Sequence, residues 1–219
     1  MSAAPIVAHI PRDMTNPFLC WTKAFAARTL KTPAWAFVLI AASLLIIQAG
    51  TELALGRVTM CTCGTIKLWV GGTQNSEISQ QIFDWYSLSH LIHGFGLYGL
   101  TWLALPRVPV AARLLLAMLV ECGWEILENT SFIIDRYRSE TISLNYYGDS
   151  ILNSLSDTLT MMFGFGLAHR LPVWSIVLAA VLMEALAGYV IRDNLTLNVI
   201  MLIYPFDAIR SWQSGVISP

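Results

Sequence analysis

A chain of 219 residues has room for one domain or two small ones. Hydrophobic residues make up 56% and charged residues only 12%, about half the ~25% usual for soluble domains, which argues against both a charged, water-facing surface and intrinsic disorder. The net charge of −1, from 13 Lys+Arg and 14 Asp+Glu, gives no sign of a nucleic-acid partner.

A membrane-crossing helix needs roughly 20 apolar residues. In chain order, such segments run over about Ala34–Leu55, Leu88–Leu105 (stopped by Pro106 and Pro109), Leu114–Ile134, Ser150–Ala168 and Val173–Ile191. Leu195–Phe206 is a shorter apolar piece, to be read as re-entrant, interfacial or tilted. The prediction is an all-α, polytopic membrane helix bundle with five to six transmembrane or re-entrant segments, forming a single integral membrane domain over 1–219. Lys and Arg set its orientation. Arg12, Lys23, Arg28 and Lys31 precede the first span, and Arg107, Arg113 and Arg170 fall on the same side. Arg57, Lys67, Arg136, Arg138 and Arg192 fall on the other, seven against five. Residues 1–31 are therefore expected as a basic cytoplasmic tail, with outer loops at 57–87 and 135–148. Trp35, Trp69, Trp85, Tyr86, Tyr146, Tyr147, Tyr189 and Trp212 are expected in interfacial belts.

The acids do not follow the bases into the loops. Glu52, Glu121, Glu125, Glu128, Asp157 and Glu184 sit within apolar stretches. Glu121, Glu125 and Glu128 are spaced i, i+4, i+7 on one helical face, with Asn129 following on the same side. Each central acid costs roughly 2.5–3.5 kcal/mol of insertion, against about 0.3–0.6 returned by each Leu, Ile, Phe or Val. Such a stripe must face other helices or water. His90 and His93 lie near the outer end of the second span, Asp149, Asn153 and Asp157 run from the outer end of the fourth, and Glu184 lies in the outer half of the fifth. These groups fall at similar depth, and intramembrane ionisable residues are functional candidates by default. Glu52, near the end of its span, is expected to reach water.

Two imidazoles with carboxylates suit one divalent metal such as Zn. His90, His93 and Glu128 are the candidate ligands. Glu125 or Asp157 is the candidate acid/base, with Glu121, Asn129, Asp149 and Asn153 completing the site. The i, i+3 spacing of the histidines departs from the i, i+4 usual for helical ligand pairs. The same residues would also serve a proton or ion path, although the inner halves of the spans hold few charges to continue it. Cys61 and Cys63 begin the first outer loop. A Cys-x-Cys disulfide is strained, which leaves thiols, a metal contact or a bond to another chain as readings. HGFGLYGL and MFGFGLAH, in the second and fourth spans, are Gly-rich strings of the kind found where membrane helices pack closely.

Together, CTCGTIKLWVG, DWYSLSHLIHGF, ECGWEILENTSFIIDRYR, ISLNYYGDSILNSLSDTLTM, RLPVW and YVIRDNLTLN…YPFDAI resemble a family of uncharacterised multi-pass bacterial inner-membrane proteins. The resemblance covers most of the chain, and least of the tail and first span. It implies location and architecture and no activity. The leading expectation is a metal-dependent hydrolase or transferase acting on a membrane lipid or lipid-linked substrate at a periplasm-facing site. The alternatives are an ion- or proton-coupled carrier and a non-catalytic membrane assembly protein.

Overall fold

The computed structural model describes residues 32–72, 75–141 and 143–215, with positions 22, 23, 25–27 and 29. Most of the expected basic tail lies outside the described residues. The described chain is all-helical: α1 (Ala34–Ala54), α2 (Ser87–Ala104), α3 (Val110–Glu128), α4 (Ser131–Glu140), α5 (Ile151–Arg170), α6 (Val173–Ile191), α7 (Leu195–Ile203) and α8 (Asp207–Ser214). Extended pairing among these residues is confined to an isolated bridge between Trp69 and Phe83, in the loop before α2. Pro33, Pro109 and Pro172 stand directly before α1, α3 and α6, each with ψ near 150°. A proline fits there because the first N–H groups of a helix have no internal acceptor.

Two of these helices, Ala34–Ala54 and Val173–Ile191, are long and apolar enough to cross a membrane. α2, α3 and α5, also expected as spans, are interrupted by buried polar residues such as His90, Glu121, Glu125 and Asp157. The third expected span is corrected. The helix begins four residues earlier, after Pro109, and ends at Glu128, while Ser131–Glu140 forms a separate helix. The apolar run does continue through Phe132–Ile134, but Thr130 adopts an extended conformation and breaks the helix. The last apolar piece is a nine-residue helix stopped before Pro205. At 1.5 Å per residue it is about 14 Å long, less than half a bilayer core of ~30 Å.

α2 and α5 form the closest pair, and the two Gly-rich strings are the reason. A Cβ on Gly94 would collide with main-chain atoms of Met161, Gly164 and Phe165, and one on Gly164 would collide with the main chain of Leu91. Glycine at both positions lets the backbones touch. Below this crossing Met118, Met161 and Phe165 pack with Ala117 into an apolar core, which α1 covers with Ala41, Leu44 and Leu45. Above it the interior is polar: Gln48, Glu52, Glu121, Glu125, Asn153, Ser154, Asp157 and Thr158 are all buried. The outside is the reverse, with Val38, Ile46, Leu103, Phe163, Trp174, Val181 and Leu182 exposed. Of the aromatics expected in interfacial belts, Tyr189, Trp35, Trp69, Tyr147 and Trp212 are exposed. Tyr86 and Tyr146 are not; both turn inward.

Candidate functional site

Helical spacing assembles the centre of the polar interior. Ser87, His90 and His93 repeat every three residues on α2, and Glu121 and Glu125 lie one turn apart on α3, so each set shares a face. Nδ1 of His90 lies 2.7 Å from Glu121 Oε1 and 3.1 Å from Glu125 Oε1. Nδ1 of His93 lies 3.1 and 3.2 Å from the two oxygens of Glu121. On the other side of His90, Nε2 is 3.8 Å from Asp157 Oδ2, and Asp157 accepts a 2.8 Å hydrogen bond from Ser87 Oγ.

A single Nδ1 hydrogen on His90, directed at Glu121, cannot also serve Glu125, and Glu125 Oε1 is buried without a hydrogen-bond partner. The other Glu125 oxygen is 2.8 Å from Ser154 Oγ. Ser154 also meets Glu52 Oε1 at 2.5 Å and accepts from Gln48 Nε2 at 2.7 Å. Serine has one hydrogen to give and two carboxyls facing it, so satisfying both takes a further proton on Glu52 or Glu125. Gln48 is held in turn by Thr158 Oγ1, which donates to its Oε1 at 2.9 Å. Glu52 is thus fully buried rather than water-reaching.

A rim of polar residues closes the end of this interior near residues 146–153. Asn129 donates to Asp149 Oδ2 at 2.8 Å and accepts from the Asp149 N–H at 2.7 Å. Gly148 makes this clamp possible, with φ +90° and no room for a Cβ between Arg57 and Asn129 Oδ1. Tyr146 donates to the same Asp149 oxygen. Burial raises the Asp149 carboxyl to about 6 against the pull of the Asn129 and Tyr146 hydrogen bonds. Burial also pushes the Tyr86 and Tyr146 hydroxyls well above the usual tyrosine range, so both remain donors. Asn153 donates to the main-chain oxygen of Gln81 at 2.9 Å. Inside the rim, a small cavity of about 30 Å³ touches His90, Glu128, Asp149, Asn153 and Asp157. Beside it a cleft of about 140 Å³ is lined by the polar His90, His93, Glu128 and Tyr137 and by the apolar Trp124, Leu195 and Val199.

The sequence between residues 52 and 215 matches the model of a family described as protein of unknown function (DUF2585). The chain belongs to this family. Among its relatives are UPF0314 proteins of Rhizobium etli (strain CIAT 652), 58% identical over 80% of this chain and 89% of the relative, of Sinorhizobium fredii (strain NBRC 101917 / NGR234), 52% identical over 83% and 92%, and of Paracoccus denitrificans (strain Pd 1222), 48% identical over 93% and 100%. No solved structure matches. The family match takes in the polar interior from Glu52 onward and leaves out Gln48 with the tail and nearly all of α1, the parts in which the resemblance was weakest.

Within this family member, His90, His93, Glu121, Glu125 and Asp157 come together as one cluster. Two sets of potential ligand atoms fall within 4.8 Å of one another: His90, His93 and Glu121, and His90, Glu125 and Glu128. Glu121, rather than Glu128, therefore completes a set with both histidines. Asp149 and Asn153 line the cavity, whereas Asn129 is committed to Asp149. Glu184 stands apart. Its two oxygens accept the N–H groups of Leu195 and Thr196 at 3.0 Å, capping α7. Sequence reasoning missed Gln48, Ser87, Ser154 and Tyr86. Ser87 could have been found from its position three residues before His90, and Gln48 from its position four before Glu52.

Proposed function

We propose that the chain is a polytopic inner-membrane protein with a cytoplasmic N-terminus. Its outward-facing site holds one divalent cation such as Zn at His90, His93 and Glu121, and it acts as a hydrolase or transferase on a lipid-type substrate. The membrane reading draws on the inverted distribution of side chains, carboxylates inside and Val, Leu, Ile and Trp outside, which is stable only where the solvent is apolar. The orientation rests on the Lys/Arg asymmetry. The observation that carries the cation is the convergence of ligand atoms of His90, His93 and Glu121 within 4.8 Å of one another, next to a buried Glu125 oxygen that has no hydrogen-bond partner. Three carboxylates around two imidazoles are buried at tolerable cost only with shared protons or a cation among them, and we infer a divalent ion.

A bound divalent ion would supply Lewis acidity and a water that ionises near pH ~7. The chain's own residues supply the rest. Asp157 or Glu125 takes up and returns the proton, Ser87 fixes the Asp157 carboxyl, and Ser154 fixes Glu125. The apolar walls at Trp124, Leu195 and Val199 suit an acyl or prenyl chain approaching from the bilayer. Elemental analysis of the purified protein tests this reading. One metal per chain is expected, with loss of that metal in Glu121→Gln and His93→Ala proteins that keep wild-type helical circular dichroism. Protein that is metal-free as purified and takes up no added Zn would overturn it.

The file Glu52–Ser154–Glu125–His90 favours a second reading, an ion- or proton-coupled carrier. In that case proteoliposomes would show solute-driven proton movement that Ser154→Ala abolishes.

A further inference from the structure

Away from this site, the loop between α1 and α2 carries a pair of sulfurs with its own surroundings. Cys61 and Cys63 are bonded to each other, their Cα atoms 5.2 Å apart. The two differ sharply in access: Cys61 is 4% exposed, while Cys63 is open to solvent. The Cys63 N–H donates to Cys61 Sγ at 3.2 Å. Gln81, itself 1% exposed, donates through Nε2 to Cys63 Sγ at 3.4 Å and accepts the Lys67 N–H on Oε1 at 2.7 Å. A bond between residues two apart closes a very short loop and removes little chain entropy compared with a long one. Holding the fold together is thus a weak reason for it. Exposed disulfides are the ones that exchange.

We propose that Cys61–Cys63 is a thiol–disulfide exchange site whose co-reactant is a dithiol outside the bundle. A thiolate of that dithiol attacks the exposed Cys63 Sγ. The Cys61–Cys63 bond breaks, its electron pair goes to Cys61 Sγ, and that sulfur, already receiving the Cys63 N–H, takes up a proton. The second thiol of the co-reactant then displaces Cys63 from the mixed disulfide. The dithiol leaves as a disulfide, and two electrons and two protons have passed to Cys61 and Cys63. An external disulfide drives the reverse. Gln81 ties the pair to the small polar cavity, since its side chain meets Cys63 and its main-chain oxygen holds Asn153, which lines that cavity. An outer loop in an oxidising compartment is where such a pair stays oxidised between exchanges.

The test uses the full chain in detergent, incubated in a series of reduced and oxidised glutathione, acid-quenched, alkylated and mapped by peptide mass spectrometry. The expected result is reduction of the pair by millimolar glutathione with helical circular dichroism unchanged. The mixed disulfide should sit on Cys63 at least tenfold more than on Cys61, and Cys61→Ser protein should capture glutathione at Cys63. Wild-type mapping decides the matter without the variant if Cys61→Ser does not fold. A pair that stays oxidised until the protein unfolds, that is isolated as free thiols, or that takes glutathione equally on both sulfurs overturns the proposal.

Discussion

The same three helices carry two interiors that differ in kind. On α5, Asp157 faces His90, while Met161, one turn further on, is sealed in hydrocarbon. On α3, Met118 belongs to the apolar core and Glu121 to the polar cluster. On α2, His90 is followed one turn later by Gly94, the point of backbone contact. The inward faces are continuous, so the geometry that packs the lower interior also aims the upper one. The lower interior gives stability in the ordinary way, by filling space with methionine and phenylalanine. The upper one buries carboxyls at a cost that only mutual hydrogen bonds, shared protons or a cation can offset. Stability and chemistry are therefore separable by position along a single helix.

The sharpest way to break the comparison is at the crossing on which both interiors depend. A side chain at residue 164 meets the main chain of Leu91, and a side chain at 94 meets that of Met161 and Phe165. Backbone cannot step aside as a flexible side chain can, so Gly164→Val lies well beyond the ~1–3 kcal/mol usual for overpacking and exceeds the loss of a core phenylalanine. It is expected to yield no monodisperse, folded protein on size-exclusion chromatography. A well-folded Gly164→Val protein that retains the polar cluster would show that the two interiors do not share this support.

One step down in size, Phe165→Ala should separate the two regions. Phe165 is 2% exposed and stacks edge-on with Tyr98. Its removal leaves a cavity and should cost about 3–5 kcal/mol, read as a large drop in melting temperature. Where the variant is still folded, its metal content should equal that of wild type, because no ligand atom has moved. Equal loss of metal and of stability would merge what the comparison separates.

Much of this division was legible in the sequence, and the exceptions have a common physical cause. Helix spacing gives the face a residue shares with its neighbours, but not where that face points. The stripe of Glu121 and Glu125 could be read because an acidic stripe within an apolar helix has to turn toward other polar groups. Glu52 and Glu184 could not be sorted in the same way, since a single acid near a helix end has several solutions. Glu52 turns inward to Ser154, and Glu184 caps α7. In α1 the one-turn spacing of Gln48 and Glu52 was a mark of the buried face that went unread, because Glu52 alone was expected to reach water. The break at Thr130 was hidden because hydropathy continues straight across it. What stops the helix is a clamp between Asn129 and Asp149, twenty residues apart. The closeness of α2 and α5 was foreshadowed by their glycines, though not which glycine of each string would touch.

The smallest expected effect lies outside both interiors, at the turn between α6 and α7. Asp193 is fully buried there and accepts from Tyr86 Oη, Gln213 Nε2 and the Asn194 N–H. Burial raises its carboxyl from 3.8 to about 6, opposed by hydrogen bonds from Asn198, Asn194 and Tyr86 and reinforced by the charge of Glu184. A carboxyl raised on folding holds its proton more tightly in the folded chain than in the unfolded one. Its favourable contribution is complete below about 3.8, declines as the pH rises to about 6, and is absent above that. Asp149 titrates in the same window and the same direction, so the melting temperature of wild type alone cannot assign the slope. The difference between wild type and Asp193→Asn can, because asparagine keeps an uncharged side chain of the same shape at every pH. Measured from pH 4.5 to 7.5, the wild-type melting temperature should fall relative to that of Asp193→Asn and level off above pH 6. A difference that is flat, or that rises with pH, would mean that the hydrogen bonds to Asp193 outweigh its burial. The turn would then stabilise a charge much as the polar interior does, and the contrast between the site and its surroundings would lose that boundary.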